Sequence, residues 1–125
     1  MAKVHHLMPK GMFARVKDGN PIYTSVIVVE AADHARIHLA GQVSADESGA
    51  LMGRGDMRAQ IQRVCECIRA GLEAVGADFG DVVRTVTYTT DVEEYFRCQD
   101  VRFEYFTHPA PTSPLLGVSR LADPD

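Results

Sequence analysis

The run of apolar and polar positions divides the chain into a short series of strands and helices. Tyr23 to Glu30 holds a β-branched stretch, Thr24-Ser25-Val26-Ile27-Val28-Val29, which suits a pleated, half-buried surface. Ala31-Ala32-Asp33-His34 reads as a turn, and Ala35 to Ser44 alternates as a second strand, so the pair predicts a hairpin. Three glycines and several polar residues make Asp46 to Gly55 a loop. Ile61, Val64, Cys65, Ile68, Leu72 and Val75 recur at helical spacing and predict an amphipathic helix over Met57–Val75. Asp56 is placed to cap it and Gly76 to stop it. Asp81 leads into Val82–Thr90, the clearest strand pattern in the chain. Asp91 ends that strand and opens a second helix with Tyr95, Cys98, Val101, Arg102, Phe103, Tyr105 and Phe106 on its face. Thr107 to Pro114 breaks the helix, and Leu115 to Leu121 reads as a last strand. Residues 1–21 mix Lys, His, Pro and Gly and read as an irregular segment.

The resulting order is β-β-α-β-α-β. It predicts an α+β fold in which right-handed crossovers put both helices on one face of a mixed sheet. The other face would carry Val, Ile, Leu and Thr. An uncovered sheet face of that kind is an apolar patch, and a neighbouring subunit is its simplest cover.

Length changes the picture little: 125 residues suffice for one domain, 1–125, with its own core. Charge narrows it. A net charge of −4 argues against nucleic acid as a partner, because phosphate binding needs a basic surface. Arg54 and Arg58 are interrupted by Asp56 and read as a solvated helix entrance. The longest apolar stretch, Val26 to Val29, is far too short to cross a bilayer, and no leader pattern follows Met1. A cytoplasmic protein is the expectation. Cys65, Cys67 and Cys98 fit buried thiols in a reducing compartment, not a CxxC motif. His5, His6, His34, His38 and His108 form neither an HxH nor an HExxH pattern, so no metal site is expected.

Chemistry concentrates in Pro109-Ala110-Pro111-Thr112-Ser113-Pro114, where the chain turns sharply just before a strand. This segment, Gly41-Gln42, Asp56-Met57-Arg58-Ala59-Gln60, Asp81-Val82-Val83-Arg84, Thr89-Thr90-Asp91 and Phe103-Glu104-Tyr105-Phe106 occur in an informative order. Together they resemble the RidA (reactive-intermediate deaminase) family across positions 23–121. The resemblance implies a chorismate-mutase-like fold, a homotrimer with a central sheet barrel, and three clefts between subunits. Such proteins hydrolyse enamines and imines derived from amino acids without metal or organic cofactor. The family also continues into one more strand, bearing a glutamate that aids the attacking water; here that strand is either lost or lies beyond Asp125.

Carried over position by position, the resemblance puts Ser113 where the family has an arginine that grips the substrate carboxylate. A guanidinium fork meets both carboxylate oxygens, and a hydroxyl cannot supply its charge. Tyr23 matches a tyrosine that positions water, and Gly41 a glycine that lets the backbone approach the ligand; Gln99 stands for an asparagine. Other readings stay open: Tyr23 as an aromatic at a strand edge, Thr112 and Ser113 as ordinary turn residues. Arg36 and His38 share a strand face and could return the missing positive charge, or simply lie on an exposed face. Arg120 reads as a surface or interface residue, and Asp46-Glu47 as a charge pair at a loop tip. Two functions follow. One is a small-molecule hydrolase acting on an enamine or imine in an intersubunit cleft, with an atypical substrate because of Ser113. The alternative is a trimer that binds a metabolite without turnover.

Overall fold

The structure is a computed structural model and describes residues 2–125. Three antiparallel strands form the main sheet: β1 (Lys3–Leu7), β4 (Val26–Glu30) and β5 (Ala35–Leu39), with β4 in the middle. A small ribbon, β2 (Val16–Lys17) and β3 (Asn20–Pro21), precedes β4. Helix α1 spans Met57–Glu73, followed by a 3-10 turn at Phe79–Asp81. Then come β6 (Thr87–Thr89), α2 (Val92–Cys98), α3 (Asp100–Phe103) and β7 (Leu115–Gly117), which pairs in parallel with β6.

Strands β4 and β5 form the expected hairpin, with Val26 opposite Leu39 and Glu30 opposite Ala35. Residues 1–21 differ from the irregular segment expected of them. Lys3–Leu7 pairs along its whole length with β4, and Asp18-Gly19 makes the turn of the β2–β3 ribbon. Both turn residues have positive φ, 54° and 82°, which matches the natural twist of a tight hairpin. The single mixed sheet is also replaced by separate ladders. Among the described residues β5 pairs only with β4, and β6 only with β7. The predicted strand over Val82–Thr90 contracts to Thr87–Thr89 plus a bridge between Arg84 and Thr112, because only these residues have a partner strand beside them.

The caps follow the sequence. Asp56 accepts from the Ala59 N–H at 3.0 Å, and Asp91 accepts from the Glu94 N–H at 3.0 Å. Gly76 has φ 72° just beyond the end of α1. The second predicted helix breaks at Gln99 into α2 and α3. In the loop after β5, Asp46 is more than a tip charge. Its carboxylate takes the N–H groups of Ser48 and Ala50 at 2.8 and 3.0 Å and the Ser48 hydroxyl at 2.6 Å. Those donors favour the ionised form and hold it below the usual aspartate range.

Helix α1 buries two stripes. Ile61 and Cys65 join Tyr95, Cys98, Val101 and Phe106 in the main core, with Leu115 of β7 packed against it. A second stripe, not evident from the apolar spacing, meets the main sheet at Gly71. A Cβ there would lie 2.9 Å from Met12 Sδ and 3.0 Å from a Leu39 methyl, so the bare glycine lets helix and sheet close up. Away from the helices, Tyr88 and Leu116 sit opposite each other in register and are 55% and 43% exposed. Val4, also on the sheet, is 54% exposed. The alternation that sends Leu115 inward sends Leu116 and its partner Tyr88 outward.

Candidate functional site

The Thr112–Ser113 turn is held at the head of the parallel pair. Thr112 donates its N–H to the Val83 carbonyl at 3.1 Å and accepts from the Thr85 N–H at 2.8 Å. Its hydroxyl also donates to the Val83 carbonyl at 3.1 Å, and the Thr87 N–H reaches the Pro114 carbonyl at 3.0 Å. These bonds fix the backbone and leave Ser113 exposed.

The residue that reaches Ser113 escaped the sequence reading, which counted it only as part of a helix face. Arg102 Nη2 donates to Thr85 Oγ1 at 2.9 Å and to Ser113 Oγ at 3.4 Å. Its guanidinium carbon lies 4.6 Å from the centre of the Phe106 ring. Phe106 is itself fixed in the core by an edge-on contact with Phe79 at 4.9 Å. The charge of Arg102 therefore lies beside the turn where the resemblance places another arginine.

Tyr23 and Gly41 lie beside the other sheet, just before β4 and just after β5. Tyr23 is 38% exposed and donates its hydroxyl to the Phe13 carbonyl at 3.4 Å. Gly41 follows β5, and the adjoining Ala40 N–H binds the Ser25 carbonyl at 2.9 Å, so both residues lie at one end of the hairpin. Nothing lies within 4 Å of a Cβ built on Gly41. The chain's own atoms therefore do not require glycine there. Arg36 pairs with Val29 near the hairpin's opposite end and is exposed. Five residues of extended chain, on the order of 16 Å, separate it from Gly41. Among the described residues no hydrogen bond links Tyr23, Gly41 or Arg36 to the Thr112–Ser113 turn. An open groove elsewhere runs past His5, His6, Val28, Glu30 and Ala74 and includes none of these residues.

Other candidate chemistry is weak. Cys65, Cys67 and Cys98 are free and buried, and burial pushes the Cys65 thiol up to about 11. A thiol so raised carries almost no thiolate near neutral pH and is a poor nucleophile. Among the described residues no group of three or more His, Cys, Asp or Glu is placed to hold a metal ion, and no helix is long and apolar enough to cross a membrane.

Antiparallel and parallel strands backed by helices, with a hydroxyl-bearing turn at the head of the parallel pair, define a small α+β domain of the RidA type. A family profile described as Endoribonuclease L-PSP matches residues 20–125. The chain belongs to that family, which is the RidA family. It is 36% identical over 85 residues to a RutC family protein of Pyrococcus abyssi, covering 68% of this chain and 67% of the relative. It is 28% identical over 85 residues to a 2-iminobutanoate/2-iminopropanoate deaminase of Dermatophagoides farinae, covering 68% of this chain and 66% of that one. The fold matches the crystal structure of RidA from an Antarctic Psychrobacter with a TM-score of 0.78 at 23% identity, covering 96% of this chain and 90% of that chain.

Proposed function

We propose that the chain hydrolyses an enamine or imine of a small metabolite, in a cleft between the subunits of a homotrimer. The observation that carries this reading is membership of a family with a relative named for imine deamination. An enamine first takes a proton at carbon and becomes an imine. Water then adds to the C=N carbon, the C–N bond breaks, and ammonia leaves a carbonyl product. The steps need a held substrate, a positioned water and a proton source. Tyr23 positions the water, Gly41 lets the backbone come close, and Thr112 and Ser113 bind the substrate. Arg36 of a neighbouring subunit joins them, since in its own chain it lies far along the hairpin from Gly41. No step requires a metal or an organic cofactor.

The exposed Val4, Tyr88 and Leu116 support the trimer, since association would remove them from water. Light scattering at micromolar concentration is expected to give three times the chain mass. A monomer mass would sink the intersubunit cleft.

The substrate is proposed to be atypical because Ser113 stands in the arginine's place. A charge-assisted contact is worth roughly 1.5–3 kcal/mol, so its loss slows a reaction by about one to two orders of magnitude. Ammonia release from 2-iminopropanoate is expected to be slower by that factor than in arginine-bearing members. Equal rates would contradict it. Ser113 also favours the second reading, a metabolite-binding trimer without turnover. Thermal stabilisation by a metabolite, with no ammonia from any imine or enamine tried, would decide for that one.

A further inference from the structure

We infer that Arg102 supplies the anion-binding charge at the Thr112–Ser113 turn, so that the cleft takes a small carboxylate-bearing ligand. The inference rests on reading this turn as the ligand site.

Four observations lead to it. Arg102 is half-buried and has no carboxylate within ion-pair distance among the described residues, unlike Arg54, Arg58, Arg69 and Arg97; half-buried Arg63 also lacks one, but it donates to the Ala45 and Gly11 carbonyls through both Nε and Nη2. Its side-chain acceptors are two hydroxyls, Thr85 Oγ1 and Ser113 Oγ, which accept hydrogen bonds without neutralising the charge. Only Nη2 is engaged, so the donors on Nη1 and Nε have no protein acceptor among the described residues. Finally, the hydroxyls and the Phe106 ring hold the guanidinium in place before any ligand arrives. A partly desolvated, pre-positioned cation with free donors is matched by an anion, and a carboxylate offers the acceptor oxygens those donors lack.

Ser113 has a role in this arrangement. A small hydroxyl at 113 leaves room for the Arg102 guanidinium and accepts from it, whereas an arginine at 113 would set two like charges side by side. The cation thus comes from α3 rather than from the strand. It meets the carboxylate from another direction, which is compatible with binding of 2-oxo and 2-imino acids and slow turnover of 2-iminopropanoate.

The test uses the full chain with pyruvate, the product expected from 2-iminopropanoate, and pyruvamide, its uncharged analogue. Isothermal titration and amide shift mapping read the binding. Wild type is expected to bind pyruvate at least about tenfold more tightly than pyruvamide, with shifts at residues 85, 102, 112 and 113. Arg102→Met should remove that preference and leave pyruvamide unchanged, and Arg102→Lys should keep part of it. The exchange Arg102→Ser with Ser113→Arg should restore it. This exchange also serves where Arg102→Met fails to fold, and recovery is not expected if Arg102 merely braces α3 against the strands. The inference is overturned if wild type shows no preference for pyruvate, or if folded Arg102→Met retains it. Arg102-dependent pyruvate binding without any ammonia release would remove the deaminase reading and leave this one standing. Ammonia release and pyruvate binding indifferent to Arg102→Met would do the reverse.

Discussion

Replacing Phe106 with alanine is expected to lower the stability of the fold by about 3–5 kcal/mol, the usual cost of removing a large buried aromatic side chain. Phe106 is 5% exposed and packs among Ile61, Cys65, Tyr95, Cys98 and Val101. Its edge-on contact with Phe79 and the Arg102 guanidinium over its ring would both be lost. The cavity would open between α1 and the segment that leads to the Thr112–Ser113 turn. Urea unfolding should show a lower midpoint. Phe106→Leu should fall between wild type and alanine, because it keeps most of the volume but not the ring. A Phe106→Ala midpoint equal to wild type would mean that the core does not close on this side chain.

Gly41→Val is expected to act in the opposite manner, with little effect on the folding of the chain and a large one on ligand binding. Nothing within 4 Å would meet the first added carbon, so the chain itself accommodates it. A ligand or neighbouring subunit that uses the backbone there would not. Metabolite affinity, read by thermal shift on the metabolite that stabilises wild type, should fall at least about tenfold. Thr112→Val, which removes the hydroxyl but keeps the shape, should weaken binding less. Retained affinity in both variants, with the assembly intact by light scattering, would place the ligand elsewhere than Gly41 and Thr112.

The parts of the fold that were legible before the structure are those written in neighbouring residues. Helix α1 announces itself through Ile61, Cys65, Ile68 and Leu72, and its ends through Asp56 and Gly76. Asp91 marks the start of α2 as plainly. The Asp18-Gly19 pair was equally legible as a hairpin signal, and passing over it left the β2–β3 ribbon unread. Lys3–Leu7 was a harder case. Its sequence, Lys-Val-His-His-Leu, has weak strand character, and it becomes a strand because β4 offers a free edge for five paired residues.

The candidate site divides the same way. Ser113 and Thr112 stand out because proline punctuation precedes a strand, whereas Tyr23 and Gly41 are marked only by the family resemblance. Arg102 carried no such mark. On a helix face, an arginine among Phe103, Tyr105 and Phe106 reads as an amphipathic side chain at the border of a core.

By itself the sequence determined the helices, the caps, the hairpin and the family to which their order belongs. The helices, caps and hairpin follow from periodicity and backbone preference within a few residues of each position, and the family from its resemblance to the ordered motifs. Only the tertiary structure decided which strands share a ladder, and that Gly71 lets α1 settle on the main sheet. It alone brought Arg102 to hydroxyls 17 and 11 residues away. The physical reason is that such contacts depend on the path of the chain between the partners. Packing sets that path: Leu115 and Phe106 enter one core, and the turn between them is thereby carried to the guanidinium.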